Sequence, residues 1–350
     1  MSIAKQKVGG KELAVMEGSG SRIGVVLLFA VGSCEVPVGE ITGWTLNQKE
    51  LTLEDMPNPP SKYDAFQCAC SQENSVIWNA LSEMKLVALE NLPGERLNTT
   101  YITLPSKRSK DEYILERRVW TKNGEVVAPS HPNVATLSFI GGDPAKVAVT
   151  MFDDFKDWEL QQAIEEILTK EFERQQSIVN GTRHRQALYR LIERNQGIHF
   201  LGGMSTWFVP IAGIKQVEAF QEYLNNVAAK YKTTSYPTEM RVLDVIDNTK
   251  MRNEIASDVA REVQVRYERL LDDTQSYLEK MANKEKVNPE KMERALASRL
   301  AQVEKMQGLR AEYERMLNMK IKIEKRPLDS VVQVDGRAKA ILLSIQEALR

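Results

Sequence analysis

Four arginines that could bind phosphate groups lie within one short segment in the middle of the chain. They belong to an apolar-periodic stretch that opens at Thr182, after an earlier helical pattern that ends near Ile178. A β-hairpin is predicted next, over Ile198–Pro210. Helix, helix and hairpin is the order of a winged helix, whose second helix enters the major groove of DNA. The sequence therefore predicts nucleic-acid contact, or else a helix that is arginine-rich for solubility alone, at Arg183, Arg185, Arg190 and Arg194.

A second basic group lies near the end of the chain, between two long helical patterns. From Lys280 to Arg326 the sequence has thirteen Lys and Arg against seven Asp and Glu, a net charge of +6 in a chain of formal net charge -1. From Lys250 to Glu279 it has five basic and seven acidic residues. The two stretches either pair with each other or leave an electropositive surface for nucleic acid or an acidic protein. The residues that would form this surface are Lys284, Lys286, Lys291 and Arg294.

The chain has no residues at the spacing of a metal site. Cys68 and Cys70 are separated by one residue, whereas paired zinc ligands are separated by two to four. Together with Cys34 they are interpreted as buried or incidental cysteines. Three aspartates come just before a predicted helix, where negative charge stabilises the helix N-terminus. Capping is therefore preferred to cation binding for Asp153, Asp154 and Asp157.

Catalytic signatures are also missing from the sequence. The three histidines lack partners at catalytic spacing, and no P-loop, GxSxG, HExxH or dinucleotide fingerprint occurs. The sequence therefore predicts no catalytic residue, no metal and no cofactor. An enzyme whose site is assembled from distant residues stays an open alternative, because catalytic triads form in space rather than in sequence.

The composition, with 42% apolar and 27% charged residues, is typical of a folded protein, and 350 residues allow more than one core. The N-terminus has no apolar core of a signal peptide. The apolar run Ile23–Val31 is nine residues long, which is too short to cross a bilayer and suits a buried strand. We therefore expect a cytoplasmic protein without a membrane partner.

Changes in apolar periodicity along the chain predict an α+β protein in five parts. A flexible, glycine-containing arm is expected over residues 1–21, and a β-rich module with antiparallel strands over 22–151. An α/β module of helix, helix, hairpin and helix follows over 152–248. A long antiparallel helical hairpin over 249–326 precedes a C-terminal strand and helix over 327–350.

Local signals place the elements of the first two modules. Ser61 is predicted to cap a helix that contains Phe66, and Asn123-Gly124 is the signal of a type I′ hairpin. Alternating apolar residues indicate the strands. Besides Ile23–Val31 they are Thr99–Leu104, Tyr113–Thr121, Glu125–Ala128, Ala135–Ile140, Lys146–Met151 and Glu239–Val245.

Residues 249 to about 323 carry the seam of a coiled coil, with apolar residues at steps of three and four. Asn288 and Pro289 are the N-cap and first helical residue of the second arm. The first arm contributes Ala256, Val259, Val263, Tyr267, Leu270, Thr274, Tyr277 and Met281 to the seam. The second arm contributes Met292, Leu296, Leu300, Val303, Met306, Leu309, Tyr313 and Met316.

Short apolar motifs in a fixed order connect the chain to a known family. They are Pro60 with Tyr63-Asp64-Ala65-Phe66, the β segment around Tyr113–Trp120, and Gly202-Gly203 leading to Trp207-Phe208-Val209-Pro210. Through them, Pro60 to about Asp272 resembles a family of uncharacterised proteins from phages, plasmids and their bacterial and archaeal hosts. The resemblance implies a mobile-element setting but no catalytic residues. The extended C-terminal hairpin departs from the family pattern.

The leading hypothesis is a non-enzymatic interaction or assembly protein. It would dock a protein partner, or associate with itself, through residues 249–326. The first alternative is a nucleic-acid-binding accessory protein that uses the basic helix and the hairpin. The second alternative is an enzyme with a spatially assembled site.

Overall fold

The computed structural model of the protein describes residues 3–8, 11–16, 21–71, 100–120, 126–127, 133–152, 158–201, 205–282 and 289–323. These residues form β-strands and α-helices. The strands are β1 (Ile3–Val8), β2 (Lys11–Met16), β3 (Arg22–Val31), β4 (Glu35–Pro37), β5 (Thr100–Lys107), β6 (Glu112–Trp120), β7 (Val126–Val127), β8 (Asn133–Ile140), β9 (Lys146–Met151), β10 (Ile178–Asn180), β11 (Ile198–His199), β12 (Thr206–Pro210) and β13 (Thr238–Ile246). The helices are α1 (Val38–Leu46), α2 (Lys62–Ala69), α3 (Trp158–Ser177), α4 (Gly181–Arg194), α5 (Ile214–Asn226), α6 (Thr249–Ala282) and α7 (Pro289–Leu317).

Every strand pair among the described residues is antiparallel. The predicted α+β class is therefore confirmed. Several predicted features lie outside the described residues, so their structure is not discussed. They are the Asn123-Gly124 turn, the aspartates of 153–157, Lys284, Lys286 and the C-terminal part 327–350.

The chain forms two compact units that are not consecutive in sequence. The first unit comprises Met1–Ser33, Gln48–Asp55 and Arg185–Arg350, and the second comprises Cys34–Asn47 and Met56–His184. The N-terminal strand β3 therefore belongs with the C-terminal half of the chain. No local sequence signal indicates this arrangement.

The first unit contains a four-stranded sheet in the order β11-β12-β3-β13. Its central strand β3 consists almost wholly of apolar residues, as expected for a strand that is covered on both faces. Val26 lies between its register partners Phe208 on β12 and Leu243 on β13. Because side chains alternate along a strand, these three residues share one face of the sheet.

Helices α6 and α7 cover this face. Val26 and Phe208 belong to the same apolar cluster as the helix residues, and Leu243 packs against it. The buried helix residues in this cluster are Ile255, Val259, Val263, Tyr267, Leu270 and Leu271 of α6, with Val303, Met306, Leu309, Tyr313 and Leu317 of α7. Eight of the sixteen residues predicted for a coiled-coil seam therefore lie in the core of the first unit.

The other face of the sheet carries Val25 and Leu27, which are fully buried. Helix α4 contributes Tyr189, whose ring centroid lies 5.8 Å from that of Phe29 and 5.9 Å from that of Trp207. Helix α5 protects the edge strand β13. The amide of Asn225 accepts a hydrogen bond from the Met240 N–H and donates one to its carbonyl, at 2.8 and 3.0 Å.

The N-terminal arm over residues 1–21 contains two strands that the sequence analysis does not predict. Strands β1 and β2 pair along their whole length, from Ile3 with Met16 to Val8 with Lys11, and the flexibility of the arm stays a prediction. Two six-residue runs separated by Gly9-Gly10 are the signal of a tight hairpin, which the count of glycines alone obscured.

The second unit contains a sheet in the order β5-β6-β8-β9, with β7 beside β6. Its strands match the predicted ones. Helices α2 and α3 pack on the sheet through aromatic rings, since Phe139 of β8 stacks on Phe66 of α2 at 5.6 Å and contacts Phe172 of α3 at 6.2 Å. The predicted cap of α2 is confirmed. Ser61 and Asp64 form a reciprocal capping box, in which each side chain accepts a hydrogen bond from the other residue's backbone.

Tyr313 provides a test of whether α7 belongs to the core. The side chain is fully buried, its hydroxyl donates a 2.7 Å hydrogen bond to the Gln196 carbonyl, and its ring contacts Phe208. Tyr313→Phe leaves that carbonyl without its partner, so we expect a loss of about 1–2 kcal/mol in the free energy of unfolding. Urea denaturation measures it. The control Leu300→Ala, at an exposed seam position, should change stability by less than about 0.5 kcal/mol. Equal stability of Tyr313→Phe and the natural protein would contradict the assignment.

Candidate functional site

The guanidinium group of Arg183 is bound within the second unit. It forms an ion pair with Asp64 at 2.8 Å and donates to the carbonyls of Asn58 and Pro59 at 3.4 and 3.3 Å. Hydrogen bonds from Ser61, and then the ion pair with Arg183, hold the pKa of Asp64 below its usual value. Arg183 therefore fixes the segment before α2 and has few donors left for a phosphate group.

Arg185 and Arg190 belong to the first unit. Arg185 donates a 2.7 Å hydrogen bond to the carbonyl of Val31, at the end of β3. Arg190 is exposed on α4, and it also interacts with neighbouring groups. The side chain of Arg190 therefore faces solvent. Arg185 connects α4 to the sheet.

Arg194 forms an ion pair with Asp55, whose side chain is almost fully buried. Asp55 also accepts hydrogen bonds from the N–H and the hydroxyl of Thr52, at 2.8 and 2.9 Å. Burial alone would raise the pKa of Asp55. The hydrogen bonds from Thr52 and the charge of Arg194 outweigh this effect, so its pKa lies below the usual value. Arg194 thereby compensates a buried carboxylate.

The predicted hairpin is present, but it is not a projecting wing. Strand β12 pairs with β11 on one side and with β3 on the other, so it is an interior strand of the first unit's sheet. Phe208 is fully buried, and the ring of Trp207 lies 3.7 Å from that of His199. The strands of this hairpin therefore belong to the sheet and Phe208 to the core, and nucleic-acid contact through the hairpin stays a prediction.

The second basic group is only partly described. Lys284 and Lys286 lie outside the described residues, and Lys291 is exposed and interacts with neighbouring groups. Arg294 is highly exposed and lies 3.7 Å from Glu290 on the same helix. Nothing in these positions tests nucleic-acid binding, which stays a prediction.

Sequence reasoning missed one pair with catalytic potential, because its members are 150 residues apart. The sulfur of Cys34 lies 3.8 Å from Nδ1 of His184 in the second unit. A cysteine beside a histidine can act as a nucleophile with its base. Here Nδ1 also lies 2.8 Å from the Asn180 carbonyl, an acceptor, so Nδ1 must carry the proton. It cannot then accept the thiol proton. Both side chains are buried, and the pair is structural.

The other cysteines show no sign of reactivity. Burial raises the pKa of Cys70 and of Cys68, which keeps both thiols protonated. Within the described part of the chain, no group of three or more His, Cys, Asp or Glu side chains could hold a metal ion.

The end of α6 and the start of α7 carry exposed side chains. Among the side chains that the structure describes, the last buried one on α6 is Thr274 and the first buried one on α7 is Val303. Between these points lie exposed side chains of the described residues. They are Ser276 and Lys280 on α6, and Glu290, Lys291, Arg294, Ala297, Ser298, Leu300, Ala301 and Gln302 on α7.

The sequence model of a family of unknown function (DUF6744) matches residues 22–334. This range includes the second unit, most of the first unit and both long helices. The chain belongs to this family. The resemblance to an uncharacterised family is therefore confirmed, and the match extends further toward the C-terminus than Asp272. Neither a curated protein nor a solved structure matches the chain.

Membership of this family assigns no activity to any residue. None of the helices in the described ranges is long and apolar enough to cross a membrane.

Arg194 offers a test of the structural role of the arginines on α4. Arg194→Gln leaves the buried carboxylate of Asp55 with Thr52 alone, and we expect the free energy of unfolding to fall by about 1–3 kcal/mol. Combining it with Asp55→Asn should recover part of this loss, because the buried charge is removed as well. Glu193→Gln, on the next and exposed residue, is the control. Urea titrations of all four proteins give the comparison; an undiminished stability of Arg194→Gln would refute the role.

His184 predicts a pH dependence of stability. Burial lowers its pKa to about 4, against an ordinary value of 6.5, and the hydrogen bond to Asn180 only partly opposes this effect. Below pH 6.5 the unfolded chain binds a proton that the folded protein does not, so stability is complete above pH 6.5 and falls as the pH decreases to about 4. The loss over this window is about 3 kcal/mol.

Thermal unfolding at several pH values between 7 and 4 measures this effect. His184→Gln cannot titrate, so its stability should change much less over the same window. If both proteins lose stability in parallel, His184 is not the group responsible.

Proposed function

We propose that the protein is a non-enzymatic interaction protein that docks a protein partner through its two C-terminal helices. The helices form an antiparallel hairpin that is rooted in the first unit and leaves its distal part exposed. The observation that carries the proposal is the division of α6 and α7 into two portions. One portion is buried against the sheet, and in the other the described side chains are exposed apart from the partly buried Tyr277, Ala295 and Arg299.

Two contacts support the antiparallel arrangement. Arg252, near the start of α6, donates a 3.3 Å hydrogen bond to the carbonyl of Leu317, at the end of α7. Near the other end, the guanidinium of Arg299 lies 4.5 Å from the ring centroid of Tyr277, at cation–π distance. The start of one helix thus meets the end of the other.

In the distal part of the hairpin, the described side chains contribute little to the core beyond the buried Thr274 and the partly buried Tyr277. From Thr274 to Ala282, and from Pro289 to Gln302, the helices continue for about 12 and 20 Å at 1.5 Å per residue. Keeping helices of this length ordered has a cost in conformational entropy, which contacts with a partner would offset. Apart from Leu300, the exposed positions carry small, polar and charged side chains, which suits a partner that also exists free in water.

The nucleic-acid alternative has less support, because Arg183, Arg185 and Arg194 bind groups within their own units. The enzymatic alternative has no accessible nucleophile in the Cys34 and His184 pair. A phage or mobile-element setting, which the resemblance implies, stays a prediction.

A loop replacement tests the proposal without removing the core. Deleting all residues after 248 would also remove Val263, Tyr313 and the cover of the sheet, so the remainder would unfold. Instead, residues 275–300 are replaced by a six-residue Gly-Ser loop. We expect the thermal midpoint to stay within a few degrees of that of the full chain, and protein partners, including other copies of the chain, to be lost. Mass measurement by light scattering and affinity capture from the native host, with nuclease present, provide the readouts.

Lys284→Gln with Lys286→Gln is the matched variant, because it keeps both helices and removes two charges from the segment between them. Loss of partners in both variants assigns the contact to this segment, and loss in the loop replacement alone assigns it to the helices. A folded loop-replacement protein that retains every partner of the full chain would overturn the proposal.

A further inference from the structure

We infer that the partner of the C-terminal helices is a second copy of this chain, which docks antiparallel on the outer face of α7. This inference rests on the proposed function and names its partner. It comes from three independent features of α7: a second heptad pattern, a glycine that the fold does not need, and a charge pattern that is complementary to itself.

The second heptad pattern lies opposite the buried one. At 100° per residue, the buried residues Val303, Met306 and Tyr313 point to one side of α7. The opposite side carries residues at steps of three and four over 25 residues, about 38 Å of helix. All of them are exposed. They are Glu290, Arg294, Ala297, Ala301, Glu304, Gly308, Ala311 and Arg315.

Gly308 lies in the middle of α7, and a Cβ atom at this position would meet no atom within 4 Å. A glycine in a helix interior is less favourable than alanine because it loses more backbone entropy on folding. Packing within the described residues of the chain therefore gives no reason for it. Close approach of another helix backbone supplies one, because helix axes reach the short end of their usual separation only where side chains are small.

The charge pattern selects a copy of the same helix. In an antiparallel pair with a two-fold axis beside residue 302, every position of the outer face meets another position of that face. Glu290 then lies opposite Arg315 of the second copy, and Ala297 lies opposite Gly308 of the second copy. Because the axis repeats each contact, the pair contains two Glu–Arg contacts at its ends and two small-residue contacts between them. A two-fold interface requires this self-complementarity.

Within the face, bulky and small residues alternate across the pair. Ala301 meets Glu304 of the second copy, and Arg294 meets Ala311 of the second copy. The exposed Leu300 lies at the border of the face, where a second helix would cover part of its side chain. The charges, the side-chain sizes and the position of Leu300 therefore all favour the same register of the pair.

Gly308→Gln is the central test, and Gly308→Ala is its matched control. Both replace glycine in open space, so both should fold at least as well as the natural chain. The alanine adds one methyl group to the close contact, whereas the glutamine is large enough to hold the two helices apart. Sedimentation velocity of the full chain should show a dimer for the natural protein, a weaker dimer for Gly308→Ala, and a monomer for Gly308→Gln at the same concentration.

Charge exchange tests the register. Glu290→Arg places two arginines opposite each other at both ends of the pair, and Arg315→Glu does the same with glutamates, so each should raise the dissociation constant of the dimer by about tenfold. The double variant Glu290→Arg with Arg315→Glu should restore it. Contacts within one chain cannot produce this recovery, because each change also breaks a separate pair on α7, with Arg294 or with Glu312.

Cross-linking fixes the geometry directly. Ala297→Cys with Gly308→Cys should yield a disulfide-linked dimer on mild oxidation, because these positions face each other across the pair. Each single variant measures the background from Cys34, Cys68 and Cys70. A natural chain that is monomeric at high micromolar concentration would overturn the inference, as would a dimer unaffected by Gly308→Gln.

The outcomes separate this inference from the proposed function. A monomeric chain that captures a different protein through the helices refutes the second copy and retains the interaction role. A dimer that survives replacement of residues 275–300 refutes the role of the distal hairpin, and it also refutes the inferred register, because the replacement removes Glu290, Arg294 and Ala297.

Discussion

The structure of the first unit depends on covering the apolar sheet face that carries Val26, Phe208 and Leu243. Each Å² of apolar surface left in water costs roughly 25 cal/mol, so an exposed apolar face of a sheet would destabilise the fold. The seam residues of α6 and α7 provide the cover. The two helices are therefore part of the core, and their packing on the sheet determines their position. This is why a coiled-coil pattern in the sequence does not by itself identify a free coiled coil.

The same constraint explains the arginines of α4. A helix packed against a sheet brings long side chains to carbonyls and carboxylates that lose contact with water. Arg185 reaches the end of β3, and Arg194 reaches the buried Asp55. In the second unit, Arg183 serves the segment before α2 in the same way. Guanidinium groups with five donors suit this work better than ammonium groups. A cluster of arginines in sequence is therefore ambiguous until their partners are known.

Sequence reasoning succeeded where the signal is local. The uninterrupted apolar run gave β3, the Ser61 and Asp64 pair gave the start of α2, and alternation gave the strands of the second unit. It could not place β3 between β12 and β13, because register partners such as Val26 and Leu243 are separated by more than two hundred residues. The contacts of Arg194 with Asp55 and of Cys34 with His184 were hidden for the same reason. The fold topology determines these pairs, and the apolar periodicity of the sequence does not indicate which distant residues come into contact.

The residues of α7 fall into two groups, which are those buried in the core and those that the core does not need. On α7, one heptad stripe is buried, and the residues between its members are free to vary as far as the fold is concerned. A solvated stripe would favour strong helix formers throughout, and the alanines and charged residues of this stripe are such residues. The glycine at its centre is not. Since glycine weakens an isolated helix, its position is best explained by a contact made outside the chain, and the flanking charges then determine which helix can make it.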